Sequence, residues 1–88
     1  MLTMPVDPML GLARNELSRS NIPGALQAYE KLIKKGRFLD EVIFDLREAL
    51  YRYPVEISIW QALGDAYMRA NRLQDALDAY TKAEELLR

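Results

Sequence analysis

An all-α stack of about five antiparallel helices is the fold class that this sequence predicts, on three observations. Apolar residues recur at spacings of three and four through five successive segments. Prolines and short polar breaks separate those segments. Val and Ile are sparse, and no stretch alternates apolar and polar residues with the period of a strand.

The first helix opens at Asp7-Pro8, with Asp7 as N-cap and Pro8 in the first turn, where its missing N–H costs nothing. It runs to about Ser18 and places Met9, Leu10, Ala13 and Leu17 at helical spacing. Ser20 and Asn21 break the chain, and Pro23 falls early enough in the second helix to be tolerated. That helix carries a stripe of Ala25, Leu26, Tyr29, Leu32 and Ile33, and Gly36 ends it as a C-cap. The third, from about Leu39 to Tyr53, has the cleanest period, through Leu39, Val42, Ile43, Leu46, Ala49, Leu50 and Tyr53; Pro54 stops it. The fourth spans about Glu56 to Ala70, with Trp60, Leu63, Gly64 and Tyr67 inward, and Asn71-Arg72 forms a tight turn. The fifth runs from Leu73 toward Arg88, with Ala76, Leu77, Tyr80, Ala83 and Leu87 expected on its buried side.

The chain also repeats itself. Ala25-Leu26-Gln27-Ala28-Tyr29 parallels Ala76-Leu77-Asp78-Ala79-Tyr80 at an offset of 51 residues, since 76 − 25 and 80 − 29 agree. Leu39, Val42, Leu46 and Ala49 parallel Leu73, Ala76, Tyr80 and Ala83 at an offset of 34. Both registers hold if the second helix serves twice, closing one pair and opening the next. Each helix is then expected to bury one face on the helix before it and one on the helix after.

Composition narrows the function. Eighty-eight residues make one domain, and half of them are apolar, which excludes wholesale disorder. Twelve basic and thirteen acidic side chains leave a net charge of −1, so no electrostatic case exists for nucleic acid. With no cysteine and no histidine, the chain lacks thiolate metal sites, cysteine nucleophiles and the usual general base. No cofactor, metal or catalytic residue is expected. Met1 to Pro8 lacks the basic and apolar regions of a signal peptide, and no apolar run approaches a membrane span. A soluble, cytoplasmic protein without membrane insertion is the expectation.

Trp60-x-x-Leu63-Gly64-x-x-Tyr67, followed by Ala76, Tyr80 and Ala83, resembles the packing signature of the tetratricopeptide repeat. Pro54 stands where that family closes the preceding repeat, and Tyr80 where it usually has Phe. Upstream the pattern thins: Met9, Ala13 and Glu16 replace the aromatic, the glycine and the tyrosine. The resemblance implies a single right-handed α-solenoid domain over 1–88. It divides into a degenerate repeat at 8–36, an extra helix at 39–53 and a well-matched repeat at 57–88. It also implies a non-catalytic protein–protein interaction module, a small adaptor or assembly subunit that binds another protein or peptide.

In the family the ligand groove is lined by the outward face of the first helix of each pair. Here that face carries Ser58, Gln61, Asp65, Met68, Arg69 and Arg72, the candidate partner-binding residues. Relatives that grip a C-terminal carboxylate present lysine and asparagine there. Gln61 and Asp65 stand in their place, so a clamp of that kind is not expected. Trp60 is expected to fill the wedge between the third and fourth helices, beside Gly64. Lys31, Lys34, Lys35 and Arg37 complement the dipole at the end of the second helix. Asp40, Glu41, Asp45 and Glu48 are expected to form a solvent-directed stripe.

Phe44 and Tyr51, seven residues apart and off the main stripe, suggest a second contact surface, within the stack or with another chain. With Leu86 and Leu87 at an uncapped helical end, they are the candidate self-association residues, and a homo-oligomeric structural protein is the alternative function.

Overall fold

A computed structural model describes residues 7–88, and among them all regular structure is helical: α1 Pro8–Ser18, α2 Ile22–Lys35, α3 Leu39–Arg52, α4 Ile57–Arg69 and α5 Leu73–Leu87. Residues 1–6 lie outside the described residues, and with them most of the segment read for a signal peptide.

Local chemistry sets the helix ends. The Asp7 carboxylate accepts the backbone N–H groups of Met9 (2.8 Å) and Leu10 (3.3 Å), and Asn21 Oδ1 accepts that of Gly24 at 3.2 Å. Caps of this kind are each worth about 1 kcal/mol. Three helices end in the same closure. The backbone N–H of Asn21 reaches the carbonyl of Glu16 (2.9 Å), that of Arg37 reaches Leu32 (3.0 Å) and that of Arg72 reaches Tyr67 (2.8 Å). Each closure needs one left-handed residue, supplied by Ser20 (φ 61°), Gly36 (φ 67°) and Asn71 (φ 62°). At Gly36 a side chain would also meet the Arg69 guanidinium, 2.8 Å from where its Cβ would sit.

Two hairpins and a helix between them build the stack. α1 packs along α2 and α5 packs along α4, while α3 lies against α4. α2 meets α1 and α4, and it approaches α3 only loosely. The second helix therefore has three neighbours, and beyond α1 it lies nearer to α4 than to α3, the helix that follows it in sequence. Buried side chains from Leu10 to Ala79 form one contiguous cluster, in which Tyr29, Val42, Leu46 and Ile59 are fully enclosed.

α5 corrects one expectation. Its buried residues are Ala76, Ala79 and Ala83, whereas Leu77 and Leu87 are 58% and 66% exposed. The physical reason is the closeness of α4. An alanine face lets the two helices approach, and leucine at position 77 falls roughly 100° away from Ala76 around the helix. Gly64 belongs to the same contact. A Cβ built there would lie 2.5 Å from Cε1 of Tyr80, so the tyrosine ring occupies the space a side chain would take. The side chain nearest to Gly64 is thus that of Tyr80. Trp60 is half-buried against the core, and its indole Nε1 donates to the Pro54 carbonyl at 2.9 Å, tying α4 to the turn that ends α3.

α3 corrects another. Asp45 is buried, not part of a solvated stripe. Its carboxylate accepts Nε and Nη2 of Arg14 in α1 (2.7 and 3.2 Å) and the hydroxyl of Tyr29 in α2 (2.8 Å). The spacing explains the burial: Asp45 stands three residues after Val42 and four before Ala49, on the edge of the apolar stripe. Burial, the bond to Asp45 and the carboxylate's charge push the Tyr29 hydroxyl well above the usual tyrosine range. A further bond links Ser20 Oγ and the Tyr53 hydroxyl at 2.7 Å, so the α1–α2 turn is tied to the end of α3 as well.

These contacts make two predictions about stability. Asp45→Ala leaves the buried Tyr29 hydroxyl and the Arg14 guanidinium without their acceptor and should cost about 2–3 kcal/mol in urea unfolding. An unchanged midpoint would mean that the three helices do not depend on this carboxylate. Gly64→Ala gains about 1 kcal/mol in helix propensity. It loses about 1–3 kcal/mol by overpacking against Tyr80. A net loss is expected, and Gly64→Ala combined with Tyr80→Ala should remove the overpacking cost.

Candidate functional site

α2 and α4 run beside each other and leave an open groove of about 590 Å³ between them. Glu30, Ile33 and Lys34 line it from α2, and Asp65, Met68 and Arg69 line it from α4. Each helix contributes these residues because positions three and four apart share a face. Ile33 is buried at the floor, while Met68 is 49% exposed above it, so the groove offers a strip of apolar surface. Acid and base alternate along its rims, with Glu30 and Lys34 on one side and Asp65 and Arg69 on the other.

Two of these rim residues are positioned by their neighbours. The Tyr80 hydroxyl donates a hydrogen bond to Asp65 Oδ1, fixing the carboxylate at the groove edge. Burial, that bond and the adjacent charge push the Tyr80 hydroxyl up to about 12. Arg69 lies against Gly36 at the end of α2, where a cation complements the exposed carbonyls of the last turn.

The six residues proposed from sequence do not stay together. Asp65, Met68 and Arg69 line the groove. Ser58 instead bonds Glu56 at the start of α4 (3.2 Å), and Gln61 is exposed outside the groove lining. Arg72 faces elsewhere: its guanidinium stacks on Tyr67 at 4.8 Å and pairs with Asp75 at 2.8 Å. Glu30, Ile33, Lys34 and Tyr80 join the groove without having been named from sequence as partner-binding residues. The one-turn spacing of Glu30 and Lys34 is visible there, but nothing in it places α2 beside α4. Phe44 and Tyr51 project from α3 at 61% and 82% exposure, so they are not a contact within the stack. At the end of α5, Leu86 is half-buried and Leu87 exposed.

Residues 57–88, which comprise α4 and α5, match the family model described as Tetratricopeptide repeat. The chain carries a tetratricopeptide repeat. Its signature residues hold the contacts already described: Gly64 receives Tyr80, Trp60 is tied to Pro54, and Ala76 and Ala83 are buried. Leu63 and Tyr67 are buried on α4. Tetratricopeptide repeats are in general non-catalytic protein–protein interaction modules. No curated protein and no solved structure matches the chain. Among the described residues, no helix is long and apolar enough to cross a membrane, and no group of three His, Cys, Asp or Glu side chains converges as metal ligands would.

The Tyr80–Asp65 bond gives the repeat a pH signature. The hydroxyl is harder to ionise in the folded state than at its ordinary value of 10. The stability it lends is therefore fully present below about pH 10 and lost as pH rises through about 12. Urea midpoints should be flat from about pH 7 to 9 and fall above about 10. In Tyr80→Phe the fall should be shallower, with the remainder owed to Tyr29. An identical alkaline limb in both proteins would refute the assignment.

Proposed function

We propose that this chain is a non-catalytic adaptor or assembly module that holds an extended segment of a partner protein in the groove between α2 and α4. The observation that carries the reading is the strip formed by Ile33 and Met68 between rims of alternating charge. An apolar strip gives a bound segment area to bury, and fixed charges at its edges select register and direction. Residues 8–36 serve in this reading as a degenerate first repeat, with α2 supplying the wall opposite α4. The positioning of Asp65 by Tyr80 favours a partner with a basic residue at that edge.

Met68→Glu tests the proposal, because the position is exposed enough to accept charge without loss of fold. A partner captured by the wild-type chain, then purified and titrated calorimetrically, should bind Met68→Glu at least about tenfold more weakly. Glu30→Lys should change the charge preference of the bound segment. A purified partner that binds both variants with wild-type affinity places recognition outside the groove.

A further inference from the structure

The two walls of the α2–α4 groove run in the same direction. α2 and α4 pack side by side, and the Arg69 guanidinium at the end of α4 lies against Gly36, the residue that closes α2. This shared direction decides how the charges of the groove face each other. Glu30 stands four residues before Lys34 on α2, and Asp65 stands four before Arg69 on α4. Acid is therefore opposite acid, and one helical turn further on base is opposite base. The two levels lie about 6 Å apart, four residues at the helical rise. No other charged side chain lines the groove.

These charges are not used up within the chain. An acid four residues before a base on one helix is the favoured arrangement for an ion pair. Neither wall makes that pair: among the described residues, none of the four takes part in an ion pair. Asp65 is turned to the Tyr80 hydroxyl, a neutral donor that leaves its charge in place. Arg69 reaches past Lys34 toward Gly36. Like charges facing across the groove add their fields, so each level attracts the opposite charge more strongly than either residue alone. Ile33 and Met68 lie between the levels, three residues after the acids and one before the bases.

We infer that the groove recognises one basic and one acidic residue two positions apart in an extended partner segment, the cation between Glu30 and Asp65 and the carboxylate between Lys34 and Arg69. The inference rests on the groove being the binding surface, as proposed above. Spacing selects this occupant. Alternate side chains of an extended chain share a face and lie roughly 6–7 Å apart, which matches one helical turn of the walls. The methylene stem of the basic residue covers Ile33 and Met68 while its charged head reaches the acids. A segment with two like charges at these positions meets its own sign at one of the two levels, and that repulsion excludes it.

NMR titration of the isotope-labelled full chain with four terminally blocked heptapeptides tests the inference. The peptides differ only at their third and fifth positions, which carry Lys and Glu, Glu and Lys, two Lys or two Glu among Val and Thr residues. The better of the two mixed peptides should bind at least about tenfold more tightly than either like-charged one, shifting the amides of Ile33, Asp65 and Met68. Glu30→Lys combined with Lys34→Glu keeps the net charge of the chain but sets acid opposite base, and both positions are exposed. In that variant the preference should disappear with unchanged helical circular dichroism. A preference that survives the exchange overturns the inference. Four peptides that bind alike, all weakened by Met68→Glu, overturn it too but leave the groove as a binding surface. Binding indifferent to Met68→Glu removes the groove and the inference together. No shift with any peptide at about 5 mM overturns the inference alone; the groove is then decided by the captured partner and Met68→Glu.

Discussion

A single buried carboxylate stands where three helices meet, and it ties α3 to α1 and α2. Asp45 accepts hydrogen bonds from Arg14 of α1 and Tyr29 of α2. α3 does not lie closely along α2, so apolar backbone-to-backbone packing does not fix it there. A polar knot does. Such a knot is specific because both donors and the acceptor lose their partners if the helix shifts, and a buried unpaired charge costs several kcal/mol. Ser20 and Tyr53 add a second tie at the other end of the same helix.

Holding α3 in that place has consequences on both sides of α4. On one side, α2 comes beside α4 and the two frame the groove lined by Ile33, Met68 and the charged rims. On the other, α3 and α5 are separated and the floor between them stays open. α5 cannot close the gap, because the alanine face and the Tyr80 ring over Gly64 commit it to α4. The packing of α5 on α4 is thus also what leaves that gap open. The two tyrosines related by the 51-residue repeat, Tyr29 and Tyr80, each donate to a carboxylate, but they do different work. Tyr29 ties α3 to α2, and Tyr80 orients Asp65 at the edge of the α2–α4 groove.

Much of this is legible in the sequence where the cause is local. Helix bounds follow from Asp7, Asn21, Gly36 and Pro54, since caps, left-handed turns and prolines act within a few residues. Asp45 reads as solvated because acidic residues on a charged helix usually face water. Its place on the edge of the Val42–Ala49 stripe is a signal, but its partners Arg14 and Tyr29 lie 31 and 16 residues away and have no sequence pattern in common with it. Leu77 misleads for a different reason. Leucine is the stronger apolar residue, yet the face that meets α4 has to be small, and only the glycine opposite explains why.

The sequence by itself determined five helices, their ends and the identity of the α4–α5 hairpin as a repeat, because periodicity, caps and the Trp60–Gly64–Tyr67 spacing are properties of contiguous residues. Only the tertiary structure decided which helices are neighbours. Whether α2 lies along α3 or α4, and whether Arg72 faces the groove or stacks on Tyr67, depends on contacts among residues far apart in the chain. Helical spacing specifies the face that each helix buries; it carries no information on which other face will meet it.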